Sequence, residues 1–314
     1  MIADFLQLMA QELYLSSPKN CDNAITEFPQ DFCRHDDLSR NGINNIRVAT
    51  SIRLVPTSRY QYVSTIAHRL AARSGSTPLE ICQQLQPSIP SLAIDLGDRL
   101  ELYCWYNDAG YIYFQLTPEA IATWLNYIHD LRLDIHFALD RDRSSVNIAL
   151  YAHARCCSLL ELARTEKLVA ISDNWQIETS DWLISDRSCL ENHLTAALTT
   201  IFEEPAEQRL IHALMEVLDG IYDRSSQLQL GLSEAEVVAS TGRAIRQNLP
   251  NWTKLTIDLA ESWLEFYRDC RIFGDLNRRN PRLAIARCGL TAISRRYLQV
   301  LLENYLGVKA SILL

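Results

Sequence analysis

From residue 144 to residue 314 the chain carries helical patterning almost throughout, interrupted by Asn174, Pro205, Gly231, Pro250, Gly274 and Pro281. The periodic segments run over 145–166, 190–202, 206–219, 233–246, 251–272 and 282–305. A helix with an apolar stripe must bury it against another element. Mostly short loops make successive helices neighbours, so residues 140–314 are predicted to form an all-α helical bundle.

Residues 1–135 pattern differently. The stretch 1–15 reads as a short helix, and 16–50 is polar, with SSPKN, DDLSR and NGINN as turn signals. Within 58–73, Tyr62, Ile66, Leu70 and Ala71 recur at helical spacing. Ser76 or Thr77 caps a second helix that has Pro78 in its first turn. Residues 92–96, 99–106 and 111–116 alternate like strands, and the last two flank the turn Asn107–Gly110 as a hairpin. Thr117 then caps a helix whose first residue is Pro118. The expected fold is an α+β N-terminal domain, helices on a small antiparallel sheet, joined near 131–143 to the bundle.

The chain has 314 residues, 48% hydrophobic and 22% charged, enough for two cores of ordinary globular composition. No apolar run approaches the roughly 18 residues that span a bilayer. The amphipathic start carries Asp4 and Glu12, so a signal peptide is not expected. Nine scattered cysteines include no C-x-x-C pair; they are expected to be mostly small buried hydrophobes in a reducing cytoplasm, without a metal. The net charge of −8 argues against a non-specific nucleic-acid binder. Its distribution is uneven: residues 1–130 hold 9 Lys+Arg against 14 Asp+Glu, while 267–314 hold 9 against 3. Of the 30 basic residues 26 are arginine, whose planar fork suits phosphate contact and base stacking, although a genomic bias would give the same count.

Three stretches, in order, resemble arginyl-tRNA synthetase. YQYVSTIAHRLAARSGSTPLEICQQL with GYIYFQLTPEAIATWL is similar to the family's additional N-terminal domain. NIALYAHARCCSLLELA resembles the Tyr-Ala-His-Ala-Arg helix that opens its anticodon-binding domain. LPNWTKLTIDLAESWLEFYRDCRIFGDLNRRNPRLAIARCGLTAISRRYLQVLLENYLGVKAS resembles the close of that domain, the DALR anticodon-binding fold. The family carries a class I nucleotide-binding core between the first stretch and the second. Here Trp124 and Tyr151 are 27 positions apart, whereas such a core needs roughly a hundred residues or more. His129 and His136 have neither the spacing nor the glycine of the HIGH motif, and four isolated lysines make no KMSKS loop. No catalytic residue, enzyme activity or cofactor is therefore expected. The acid pairs Asp36–Asp37 and Glu203–Glu204 read as solvated or capping charges.

The resemblance implies that Tyr151 and Arg155, four apart on one helix face, meet the anticodon loop, the tyrosine by stacking and the arginine through phosphate. The alternative is a packing tyrosine beside a surface arginine. Ile148 replaces the first tyrosine of that motif, and His153 on the opposite face reads as a core residue. Arg282 opens the last long helix, with Arg278 and Arg279 in the turn before it and Arg287, Arg295 and Arg296 nearby. They read as a phosphate-tracking patch or as a solvated face. Leu314 falls where the family often ends in methionine near the anticodon. On the strand 111–116, Tyr111, Tyr113 and Gln115 share one face and imply a contact with the tRNA D-loop, while Ile112 and Phe114 point to the core. Tyr113 replaces the family's asparagine.

The function implied is a non-catalytic tRNA-binding protein that serves as an adaptor, buffer or sensor. Its partners would be arginine tRNA and a tRNA-modifying enzyme or other protein, with no membrane. One alternative is a protein-interaction module on a synthetase scaffold that has lost RNA binding. Another is half of an enzyme working in trans with a catalytic chain.

Overall fold

The computed structural model describes residues 52–56, 59–85, 94–95, 99–100, 102–131, 146–171, 202–229 and 250–312. They fall into two compact units: one lies within Ile2–Asp95 and Glu101–Thr117, the other within Leu96–Leu100 and Pro118–Leu314. The expected helices over 1–15, 190–202 and 233–246, the loop 16–50 and the junction beyond 131 lie outside the described residues.

The first unit is built on an antiparallel sheet of β1 (Ile52–Leu54), β2 (Gln61–Ser64), β3 (Leu102–Tyr106) and β4 (Ile112–Leu116), in the order β1-β2-β4-β3. The strands alternate. Ile112, Phe114 and Leu116 are buried, as are Tyr62 and Ser64, which pair with Phe114 and Ile112. The expected hairpin is present: Gly110 N–H donates to Asn107 O at 2.9 Å, and Asn107 N–H to Tyr111 O at 3.1 Å. Gly110 has φ +80°, and a Cβ there would lie 2.4 Å from Pro78 Cβ, so the turn tolerates no side chain.

Two helices complete this unit, α1 (Ile66–Ser74) and α2 (Pro78–Leu85). The helix expected over 58–73 is thus half strand. Tyr62, Ile66 and Leu70 fit a helical spacing, but Tyr62 and Ser64 also fit a period of two, and pairing with β4 selects the latter. Ser64 Oγ accepts from Ile66 N–H at 3.2 Å where the strand ends. Before α2 the cap falls on Thr77, as a reciprocal box. Thr77 Oγ1 accepts from Glu80 N–H at 3.3 Å, and Glu80 Oε2 accepts from Thr77 N–H at 2.8 Å.

The second unit is helical: α3 (Pro118–Asp130), α4 (Asn147–Thr165), α5 (Pro205–Gln229), α6 (Trp252–Asp269), the short α7 (Asp275–Arg279) and α8 (Pro281–Val300). Asn251 and Asn280 cap α6 and α8 through their side chains, accepting from Lys254 N–H at 2.9 Å and Leu283 N–H at 3.1 Å. The chain ends the bundle with a π-helical turn, Leu301–Tyr305, whose Tyr305 ring lies 4.0 Å from that of Trp252.

Helix α8 is the axis of this unit. From Ala286 to Arg295 every residue is buried, so no face is left for water. Small residues make this possible: Ala284, Cys288 and Ala292 meet Leu160 and Ala163 of α4. The C-terminal end of α3 is held by α8, with Tyr297 Oη donating to Ile128 O at 3.2 Å. Arg296 donates to His129 O at 2.7 Å and also to Leu131 O. A cation on the last carbonyls of a helix satisfies groups that have no partner within it.

Candidate nucleic-acid interface

Tyr151 and Arg155 sit on α4 as their four-residue spacing requires, and they touch. Arg155 Nε donates to Tyr151 Oη at 3.1 Å, and the guanidinium carbon lies 5.5 Å from the ring centroid. Tyr151 is 38% exposed, although the three residues that follow it on α4 are buried. The hydrogen bond to Tyr151 raises the Arg155 pKa above its ordinary value, with Tyr267 of α6 adding to the effect. Tyr267 is itself 40% exposed, and its ring stacks at 5.4 Å and 14° on the buried Trp263. Tyr151 and Arg155 are thus in direct contact, and Tyr267 lies within electrostatic reach of the guanidinium. Such a set can receive an unstacked base and a phosphate together. Sequence reading missed Tyr267. The Trp263–Tyr267 spacing signals a local stack, but only the packing of α6 on α4 brings it to Arg155.

The arginines near α8 separate into two groups. Arg278, Arg279 and Arg282 are exposed and form no ion pair with any described residue. The first two belong to the five-residue helix α7 rather than to a turn. Arg287, Arg295 and Arg296 leave the expected patch, the first two because α8 is enclosed from Ala286 to Arg295 and the third because it binds the last carbonyls of α3. Arg287 Nε donates to Glu207 Oε1 at 2.7 Å, and its Nη1 to Arg271 O at 2.6 Å, both inside the bundle. Burial pushes the Glu207 carboxyl above its usual range, and Arg287 opposes that shift. Arg295 is buried and donates to Gln299 Oε1 at 2.7 Å, while Arg296 caps α3. Arg268, on α6, is exposed but engaged with Asp269 at 2.7 Å.

On the sheet, Tyr111, Tyr113 and Gln115 share the outer face, opposite the buried Ile112 and Phe114. Tyr111 meets the His68 ring at 4.6 Å. The Tyr113 hydroxyl accepts from Asn107 Nδ2 at 3.3 Å, and its ring lies nearly parallel to that of Trp105 at 5.6 Å. Gln115 Nε2 donates to Arg59 O and, at 3.2 Å, to Leu116 O. Leu314 lies outside the described residues.

His153 is buried, as its place opposite Tyr151 suggests. Its Nδ1 lies 2.9 Å from Ser311 O, and burial lowers its pKa. Cys82, Cys156, Cys157, Cys270 and Cys288 are buried, and desolvation raises each thiol; Cys82 reaches about 11, and Cys270 and Cys288 about 12. Thiols held protonated in this way are poor nucleophiles. Glu203 and Glu204 are exposed at the start of α5, where Glu207 Oε2 accepts from Glu204 N–H at 3.0 Å. Among the described residues no group of three His, Cys, Asp or Glu could hold a metal ion, and no helix is long and apolar enough to cross a membrane.

Among curated proteins, the chain is similar to an arginine–tRNA ligase of Synechococcus sp. (strain JA-3-3Ab), at 21% identity over 306 residues. The match takes in 93% of this chain and 44% of that protein, so the chain spans less than half the length of its relative. No protein-family model and no solved structure matches. The chain is thus distantly similar to an aminoacyl-tRNA ligase, with a small α+β unit followed by a helical one.

Proposed function

We propose that this chain is a non-catalytic tRNA-binding protein, made of the tRNA-handling parts of an arginyl-tRNA synthetase without its catalytic core. The helical unit acts as a DALR-type anticodon-binding domain and the sheet unit as the part that meets the D-loop. The observation that carries the reading is the direct contact of the exposed Tyr151 ring with the Arg155 guanidinium. A ring–cation pair of this kind offers a base a stacking surface and a phosphate a donor. Its place within YAHAR is where the family resemblance puts the anticodon loop. Arg279 and Arg282, exposed near the start of α8, supply further phosphate contacts. The absence of catalysis rests on the 27 positions between Trp124 and Tyr151 and on the missing HIGH and KMSKS motifs. Arginine tRNA is the expected ligand, and the role is that of an adaptor, buffer or charging sensor in the cytoplasm, alongside a modifying enzyme or other protein.

Titration of the full chain with an arginine tRNA transcript tests this. Tyr151→Ala with Arg155→Ala should weaken binding by about 1–3 kcal/mol for the missing stack, with the fold intact by circular dichroism. Unchanged affinity would remove the anticodon-helix assignment. ATP–pyrophosphate exchange dependent on arginine would remove the non-catalytic part. Ile148 in place of a tyrosine and the net charge of −8 favour a second reading, a protein-interaction module. A protein recovered with the chain from its native cells, without RNA, would support that reading.

A further inference from the structure

We propose that the outer face of the four-stranded sheet is a stacking platform for unpaired bases of single-stranded RNA, with Trp105 and Tyr103 of β3 as its principal contacts. The inference rests on the reading that the chain binds RNA. It deepens that reading by moving the main contact from β4 to the neighbouring strand and by naming the ligand class.

The register places the residues. Trp105 pairs with Tyr113, Tyr113 with Val63, and Val63 with Arg53, so one row crosses all four strands. In the next row Tyr103 pairs with Gln115, and Gln115 with Gln61. Tyr103 is 66% exposed and Trp105 40%, so two aromatic rings of this face meet water. The Trp105 and Tyr113 rings already lie nearly parallel, so an incoming base extends an existing stack. Asn107 holds the Tyr113 hydroxyl, which fixes one ring before any ligand arrives.

The chemistry around the rings favours a nucleic acid over an apolar partner. The two rows carry three aromatic residues, two amides and one guanidinium, and none of the four strands contains an Asp or Glu. Rings take the flat faces of bases, amides their edges, and Arg53 at the end of the row a phosphate. A double helix keeps its base faces covered, so the platform selects unpaired nucleotides.

The test uses the full chain with a hexauridylate carrying 5-iodouridine, cross-linked by light and mapped by peptide mass, together with affinities for the unmodified oligonucleotide. The expected result is a cross-link within 102–116. Trp105→Ala or Tyr103→Ala should weaken binding by about 5- to 100-fold, and Trp105→Phe should restore most of it. Tyr103, the more exposed residue, keeps the test valid if Trp105→Ala unfolds the chain. Cross-links confined to 147–165 and 252–269, with Tyr103→Ala silent, would overturn the platform and leave the anticodon-face reading standing. No binding by the wild-type chain to the oligonucleotide or to tRNA would overturn both. If Tyr103→Ala abolishes recovery of a protein partner while RNA binding is unchanged, the face docks protein and the proposal fails.

Discussion

The two units bring aromatic rings to water in different ways. On α4 the ring and its cation are four residues apart, and one helix turn sets their contact. On the sheet, Trp105, Tyr113 and Arg53 come from three strands, and their order across the surface depends on register. A helix surface is therefore written locally, and a sheet surface is written by pairing. The same contrast governs charge. In the sheet unit, alternation alone separates inside from outside. In the helical unit, position along α8 decides instead: Arg282 lies before the enclosed stretch and Arg287 within it.

The largest effect should come from the enclosed part of α8. Arg287→Met leaves Glu207 buried without its partner, and the expected loss is about 3–5 kcal/mol in denaturant unfolding. The pH dependence carries a sign. Burial already holds the Glu207 carboxyl above its ordinary value, and losing Arg287 raises it further. A group raised in the folded state favours folding at low pH, and that contribution is lost as pH rises through the folded value. The variant's deficit should therefore be full at about pH 8 and should shrink as pH falls toward about 5. A deficit that grows on acidification would show that Glu207 is not the stranded group.

The sheet unit depends on its hairpin. Gly110→Ala forces a side chain into a left-handed residue 2.4 Å from Pro78, with an expected cost of about 1–3 kcal/mol. Since register places the outer face, this variant should also lower hexauridylate affinity while leaving the Tyr151 face unaffected. Equal losses at both faces would break the distinction between the units.

The smallest effect on stability belongs to the exposed arginines. Arg278→Ala, Arg279→Ala and Arg282→Ala together should alter unfolding by no more than about 0.5 kcal/mol each. For every arginine that neutralises a phosphate, its removal should flatten the salt dependence of tRNA binding by roughly 0.7–0.9 in slope. An unchanged slope would make them a solvated face.

How much of this was legible in the sequence follows from the same contrast. Tyr151 touching Arg155, the burial of His153, the cap before α2 and the Asn107–Gly110 turn depend on neighbours within a few residues, and spacing reveals those. The strand Gln61–Ser64 did not show, because Tyr62 satisfies two periods at once and only β4 chooses between them. Arg287 and Arg295 looked like surface charges because nothing local records that α8 is covered on every side there, and Arg296 because its carbonyl partners belong to α3. Tyr267 and Trp105 were missed for a related reason. Each acquires its meaning from a partner on another element, Arg155 for one and Tyr113 for the other.

The most direct measurement is to purify the protein from its native cells and sequence the RNA that accompanies it. The account predicts strong enrichment of arginine tRNAs over other tRNAs, reduced in the Tyr151→Ala, Arg155→Ala variant. A folded protein that arrives without tRNA, or with all tRNAs in their cellular proportions, would contradict it.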